Sequence, residues 1–257
     1  MKDKDILTTI SYVKNSEKHQ IVCEGKGEYE GCYIGGYRYK LEIEISSDNN
    51  KPITENKTLA CIMMNPSTTF PDNEWKSNWE RNLNYLKYNK KPRKTTGFDP
   101  TIINVIKMAA SKGYSKICIF NLFPYIHPTG KVAIEKYQCK KEKNKEIIRN
   151  WKKSGCDKVL VAWGSHLPEK AEKKSYIKLQ EEYIRLFKKK NIKPVFYAWN
   201  ENAGCPYHPS SQVDSCWTNR NGEIVKRKKN DGSLGIIQQF IDDEKDFTIW
   251  QGYPKNN

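Results

Sequence analysis

The sequence predicts an α/β fold: a central, mostly parallel four-stranded sheet flanked by helices, with an added N-terminal edge strand or hairpin. Three observations lead there. Four short apolar runs, Leu59 to Met64, Ile117 to Phe120, Val159 to Trp163 and Val195 to Ala198, have the continuous hydrophobicity of strands buried on both faces. Helical patterns separate them, and strands alternating with helices imply right-handed crossovers that bring each strand back parallel. Finally, 257 residues with 12% aromatics spread along the whole length suffice for one substantial core, which makes a single domain over residues 1–257 the natural reading.

The elements follow in chain order. Residues 1–36 are polar, carry five glycines between Gly25 and Gly36, and read as a loop-rich lead-in. Tyr37 to Ile45 alternates polar and apolar residues with period two, as a half-exposed edge strand does. Residues 70–98 form a basic and aromatic insert. Asp99-Pro100-Thr101 is an N-cap followed by proline at the first helical position. Ile102, Ile103, Val105, Ile106, Ala109 and Ala110 then supply an apolar face, and Lys112-Gly113 a stop. A second helix is expected from Ala133 or Lys140 to Lys153, with Ile147, Ile148 and Trp151 inward. A third runs from Pro168 to Lys190, with Tyr176, Leu179, Tyr183 and Phe187 at helical spacing.

Charge points to a partner. The formal net charge is +15, and it is clustered: Lys87 to Lys94 holds five basic residues and no acid, Lys131 to Lys153 nine basic and three acidic, and Lys226 to Lys229 is unbroken. With Tyr85, Tyr88, Tyr137 and Trp151 in or beside these clusters, a phosphate polyanion is the expected partner, bound through counterion release. No run approaches the ~18 apolar residues of a membrane span, and the first residues lack the apolar stretch of a signal peptide. A cytoplasmic monomer that binds DNA, double- or single-stranded, and no membrane is the expectation. The eight cysteines are scattered without a Cys-x-x-Cys pair, so reduced structural thiols are expected. Cys205, His208 and Cys216 lack a fourth ligand and knuckle spacing, so neither a metal nor another cofactor is anticipated.

In a parallel sheet, ligands bind beyond the carboxyl ends of the strands. The residues delivered there are Met64-Asn65-Pro66-Ser67-Thr68, Asn121-Leu122-Phe123-Pro124-Tyr125, Gly164-Ser165-His166, and Trp199-Asn200 followed by Tyr207-His208-Pro209-Ser210-Ser211. Amides beside aromatic walls suit a flat heterocycle, because amides read its polar edge and rings hold its faces. Singly, each piece also has a structural reading, as a turn, a strand-end amide or a helix cap.

The order of these pieces resembles the uracil-DNA glycosylase superfamily. Met64-Asn65-Pro66-Ser67 is similar to its water-activating motif, Ile117 to Asn121 to its base-reading strand, Val161-Ala162-Trp163-Gly164-Ser165 to a third strand end, and His208-Pro209-Ser210 to its last motif. A closer resemblance, over residues 37 to 215, is to the bacterial DUF1643 family, through Met63 to Thr68, Asp99 to Ile102, Asn121 to Phe123, and Ala162 to Gly164. The resemblance implies a monofunctional DNA glycosylase that flips a base, a modified one such as hypermodified cytosine, with defence against phages as an analogous role. It implies that Asn65 positions water and His208 stabilises the departing base. Asn121 reads the base, Phe70 stacks on it, and Ser67, Gly164 and His166 line the pocket. Lys90, Lys91, Arg93, Lys94, Ser210, Ser211, Lys226, Arg227 and Lys228 hold the DNA backbone. Asn65 stands where the best-known members carry a carboxylate, and Ser211-Gln212-Val213 replaces their apolar wedge. A non-catalytic nucleic-acid or nucleotide-binding module of the same fold is the alternative.

Overall fold

The computed structural model describes residues 4–30, 36–47, 56–64, 66, 98–126, 133, 155–164, 170–200, 205–209, 216–218, 224–226, 236–243 and 246–251. Strands β1 (Lys4–Lys14), β2 (Glu17–Glu30), β3 (Tyr37–Ser47) and β4 (Thr58–Met63) precede helix α1 (Pro100–Ser111). Then come β5 (Lys116–Asn121), β6 (Lys158–Ala162), α2 (Lys170–Lys189), β7 (Val195–Phe196), β8 (Trp199–Asn200) and β9 (Cys205–Pro206). The described elements end with β10 (Cys216–Thr218), β11 (Ile224–Lys226), α3 (Ile236–Asp242) and β12 (Thr248–Ile249).

One eight-stranded sheet dominates, in the order β1-β2-β3-β5-β4-β6-β7-β12. β4 runs parallel to both β5 and β6, and β6 parallel to β7. β1, β2 and β3 form an antiparallel meander attached to β5, and β12 closes the other side antiparallel to β7. The protein is therefore a mixed α/β molecule with a mostly sheet core and few helices among the described residues. Four strands plus one edge strand or hairpin understated the sheet.

The loop-rich reading of residues 1–36 is corrected most. β1 and β2 pair continuously from Lys4↔Gly27 to Lys14↔Glu17. Asn15 and Ser16 between them both have positive φ, the sign that a tight two-residue hairpin turn requires. Ile10, Tyr12, Ile21 and Cys23 put an apolar face on the core. Gly25 is a packing position: a Cβ there would stand 2.6 Å from the Phe98 ring. Val195 to Ala198 is also shorter as a strand than expected. After Phe196 the chain leaves the sheet, and Ala198 O accepts from Tyr207 N at 2.9 Å, starting the separate β8–β9 ladder.

Alternation along the strands sorts two cores. Leu59, Cys61 and Met63 of β4 join Ile102, Val105, Ile106 and Ala109 of α1 and Ile237, Phe240 and Ile241 of α3. Ala60 and Ile62 join Tyr176, Leu179, Tyr183 and Phe187 of α2, with Trp163 and Trp250. The two helical patterns are seen in α1 (Pro100–Ser111) and α2 (Lys170–Lys189), whose apolar stripes face the sheet. Of the second expected helix, Ala133 or Lys140 to Lys153, only Ala133 is described, helical and buried, and of the 70–98 insert only Phe98; the remainder of both lies outside the described residues. No helix among the described residues is long and apolar enough to cross a membrane.

Candidate functional site

The carboxyl ends of β4, β5 and β6 are level. Met63 is paired with Asn121 on one side and Ala162 on the other. Beyond β5 the chain stays against β4, with Leu122 N donating to Met63 O at 2.8 Å and Phe123 N to Met64 O at 2.9 Å. These bonds aim Asn121 at the end of the sheet before the chain turns.

Asn121 is fully buried, and neither Nδ2 nor Oδ1 has a hydrogen-bond partner among the described residues. Buried amides are nearly always satisfied, so Asn121 is an exception, with both ends unspent among the described residues. A strand-end amide with a purely structural task would bond to nearby backbone; Asn121 does not.

His208 reaches the neighbouring strand end. Gly164 follows β6 with φ +73°, and a Cβ at Gly164 would lie 2.4 Å from His208 Cβ. Glycine is required there twice, for the left-handed backbone and for the close approach. The Tyr176 hydroxyl of α2 lies 3.0 Å from both the Trp163 and Gly164 carbonyl oxygens and fixes this turn. The His208 loop is tied elsewhere by Tyr207 N to Ala198 O and by Asn104 Nδ2 of α1 to Pro209 O at 3.4 Å. Half-buried His208 and buried Gly164 are therefore brought together at the end of β6, one strand beyond the β4–β5 pair that carries Asn121.

Asp99 has a structural task. Its carboxylate accepts from Thr101 N at 2.8 Å and Ile102 N at 3.1 Å, capping α1. Asn65, Ser67, Phe70, His166, Lys90, Lys91, Arg93, Lys94, Ser210, Ser211, Arg227 and Lys228 lie outside the described residues. Lys226 is placed only by its backbone, in β11. Cys23, Cys61, Cys118, Cys156 and Cys205 are free thiols, and no three metal-ligating side chains gather among the described residues.

Tyr197 and Arg38 are among the buried polar groups that escaped the sequence reading. Tyr197, next to the end of β7, has a buried hydroxyl without a partner among the described residues. Burial, with Cys61 and Tyr207 adding to it, holds that hydroxyl well above the usual phenol range, so it stays protonated as a donor. Arg38 of β3 is 2% exposed. Alternation with Leu41, Ile43 and Ile45 had placed it with the solvent-facing charges Lys40, Glu42 and Glu44. No signal in one sequence separates it from them.

The fold and this strand-end arrangement define a mixed α/β protein that carries Asn121 at the carboxyl end of β5 and Gly164 with His208 at that of β6. Residues 72–210, more than half of the chain, match the family model described as a protein of unknown function, DUF1643. The chain belongs to that family. The matched span includes Asn121, Gly164 and His208 and starts after the Met63 to Thr68 segment. No curated protein and no solved structure matches the chain.

Proposed function

We propose that the protein is a monofunctional DNA glycosylase that hydrolyses the N-glycosidic bond of a flipped, modified base. The observation that carries this reading is Asn121, a wholly buried amide with donor and acceptor both unspent at the carboxyl end of the sheet. Such a group is worth its desolvation only if a ligand presents complementary polar atoms, as a base edge does. The reading takes β5, β4, β6 and β7, with the helices around them, as a core of the uracil-DNA glycosylase type.

The roles follow from the chemistry. Cleavage passes through an oxocarbenium-like sugar, so a group is needed on each side of it. Asn65 holds a water against the anomeric carbon; His208 donates to the base as the bond electrons move onto it. Water adds its oxygen to the sugar and keeps one proton as the new hydroxyl, while its other proton passes through solvent to replace the one that the base takes up. Asn121 reads the base, Phe70 stacks on it, Ser67, Gly164 and His166 line the pocket, and the basic clusters with Ser210 and Ser211 hold phosphates. An abasic-site assay on duplex and single-stranded DNA containing a panel of modified cytosines tests this. Strand nicking after alkali should appear with wild type and fall at least about 100-fold in His208→Ala, within the range for loss of a positioned proton donor. Nicking that survives in His208→Ala and Asn121→Ala overturns the assignment.

The second reading, a nucleotide-binding module without chemistry, is favoured by Asn65, since an amide orients water without acting as a base. Under it, Asn121→Ala weakens DNA binding while no protein variant, nor wild type, releases a base.

A further inference from the structure

The Arg38 Nε has no hydrogen-bond partner, and no carboxylate pairs with its guanidinium among the described residues. Arginine does not shed its charge at any working pH, so burial leaves a bare cation rather than a neutral side chain. A buried, uncompensated charge is strongly unfavourable, and an anion arriving with a ligand removes that penalty.

The backbone brings this residue to the candidate site. β3 pairs with the β5 chain at Leu41↔Ile119 and again at Tyr37↔Tyr125. From 41 to 37 is four residues and from 119 to 125 is six, so the β5 side carries two extra residues across this stretch. The ladder opens there. Leu122 and Phe123 bond to β4, and Arg38 N closes the opening on Pro124 O at 2.8 Å. Asn121 lies within the opening. Tyr37 packs against the cluster holding Phe123 and Tyr125, so Arg38, its neighbour in the strand, turns to the opposite face; Asn121 follows Ile117 and Ile119 onto that same face.

We propose that Arg38 and Asn121 are the two halves of one nucleotide subsite, with the amide on the edge of the heterocycle and the guanidinium on an oxyanion of the same ligand. The oxyanion is a phosphoryl group of the nucleotide or a carboxylate on its base; both accept paired N–H bonds from the arginine fork. This rests on the base-reading role of Asn121 proposed above, and not on bond cleavage.

Calorimetric titration of the full chain tests it. The ligands are the four deoxynucleoside 5′-monophosphates, the four deoxynucleosides and 5-carboxy-2′-deoxycytidine. At least one anionic ligand should bind about tenfold or more tighter than its neutral nucleoside, and which one does so identifies the oxyanion. Arg38→Met should erase that preference while melting, without ligand, at or above the wild-type temperature. Arg38→Lys should retain part of the preference. Equal binding of nucleotides and nucleosides overturns the subsite, as does a preference that persists in Arg38→Met. So does an Arg38→Met protein that melts far below wild type while Arg38→Lys shows wild-type stability and no preference. Base release from DNA is measured on the same preparations: release without anion preference removes the Arg38 subsite alone, and anion preference without release removes the hydrolase reading alone.

Discussion

A buried amide with nothing to bond destabilises a fold by about 1–3 kcal/mol for each unsatisfied group. Asn121 carries two such atoms at the end of β5, so its retention conflicts with stability. Asn121→Leu should therefore leave thermal stability unchanged or raise it by about 1 kcal/mol, and abolish base-dependent binding. Denaturant unfolding beside DNA-binding titrations checks this. A large loss of stability would mean that the amide has a structural partner. Gly164 makes the opposite trade. A Cβ there meets His208 at 2.4 Å on a backbone of φ +73°, so Gly164→Ala should cost about 1–3 kcal/mol and displace His208. Activity should fall with His208 itself untouched. The placement of Asn121 and His208 at strand ends was legible in the sequence because each follows an apolar run or loop there. Arg38 and Tyr197 were not, because burial of a polar side chain depends on what distant segments lay over it.

Elements with strong local signals formed as read. Asp99-Pro100 caps α1 through two backbone bonds, and Asp99→Ala should lower stability by about 1 kcal/mol, measured as a shift in the denaturation midpoint. The hairpin β1–β2 was missed for a physical reason. Its glycines resemble loop composition, yet Gly25 is small so that Phe98, more than seventy positions later, can pack on the sheet. No local pattern contains that contact. The extra pairing of β3 with β5 is equally non-local, and its outer face is stitched by charge. Partial burial would raise the Glu42 carboxyl, but the hydrogen bond and charge of Lys40 at 2.6 Å, then Lys116, outweigh it and hold it below the usual range. A lowered carboxyl contributes stability above its unfolded value and loses it as pH falls through the folded one. Because the group is part-exposed, the effect is small. Glu42→Gln should destabilise by up to about 1 kcal/mol at neutral pH and by less at acid pH, as protonation removes the charge of Glu42. Paired urea titrations at the two pH values read the difference.

At the scale of the molecule, apolar runs revealed strands but not how many would join one sheet. The eight-stranded order came from the meander and from β12, whose partners lie far away in the chain. Net charge was read directly from composition, and its consequence is measurable. DNA affinity should fall linearly on a log–log plot against salt, with a slope of about −0.9 per neutralised phosphate in duplex. Replacing Lys90, Lys91, Arg93 and Lys94 together by Ala should flatten that slope, as should removal of the Lys226 to Lys228 cluster. The proposal that the chain severs a base from DNA is tested most directly by incubating wild type and Asn121→Leu with phage genomes of different modification and identifying released bases by mass. Wild type should liberate one modified base and leave unmodified DNA intact, while Asn121→Leu liberates none. Release of no base from any genome, or equal release by both proteins, would contradict the assignment.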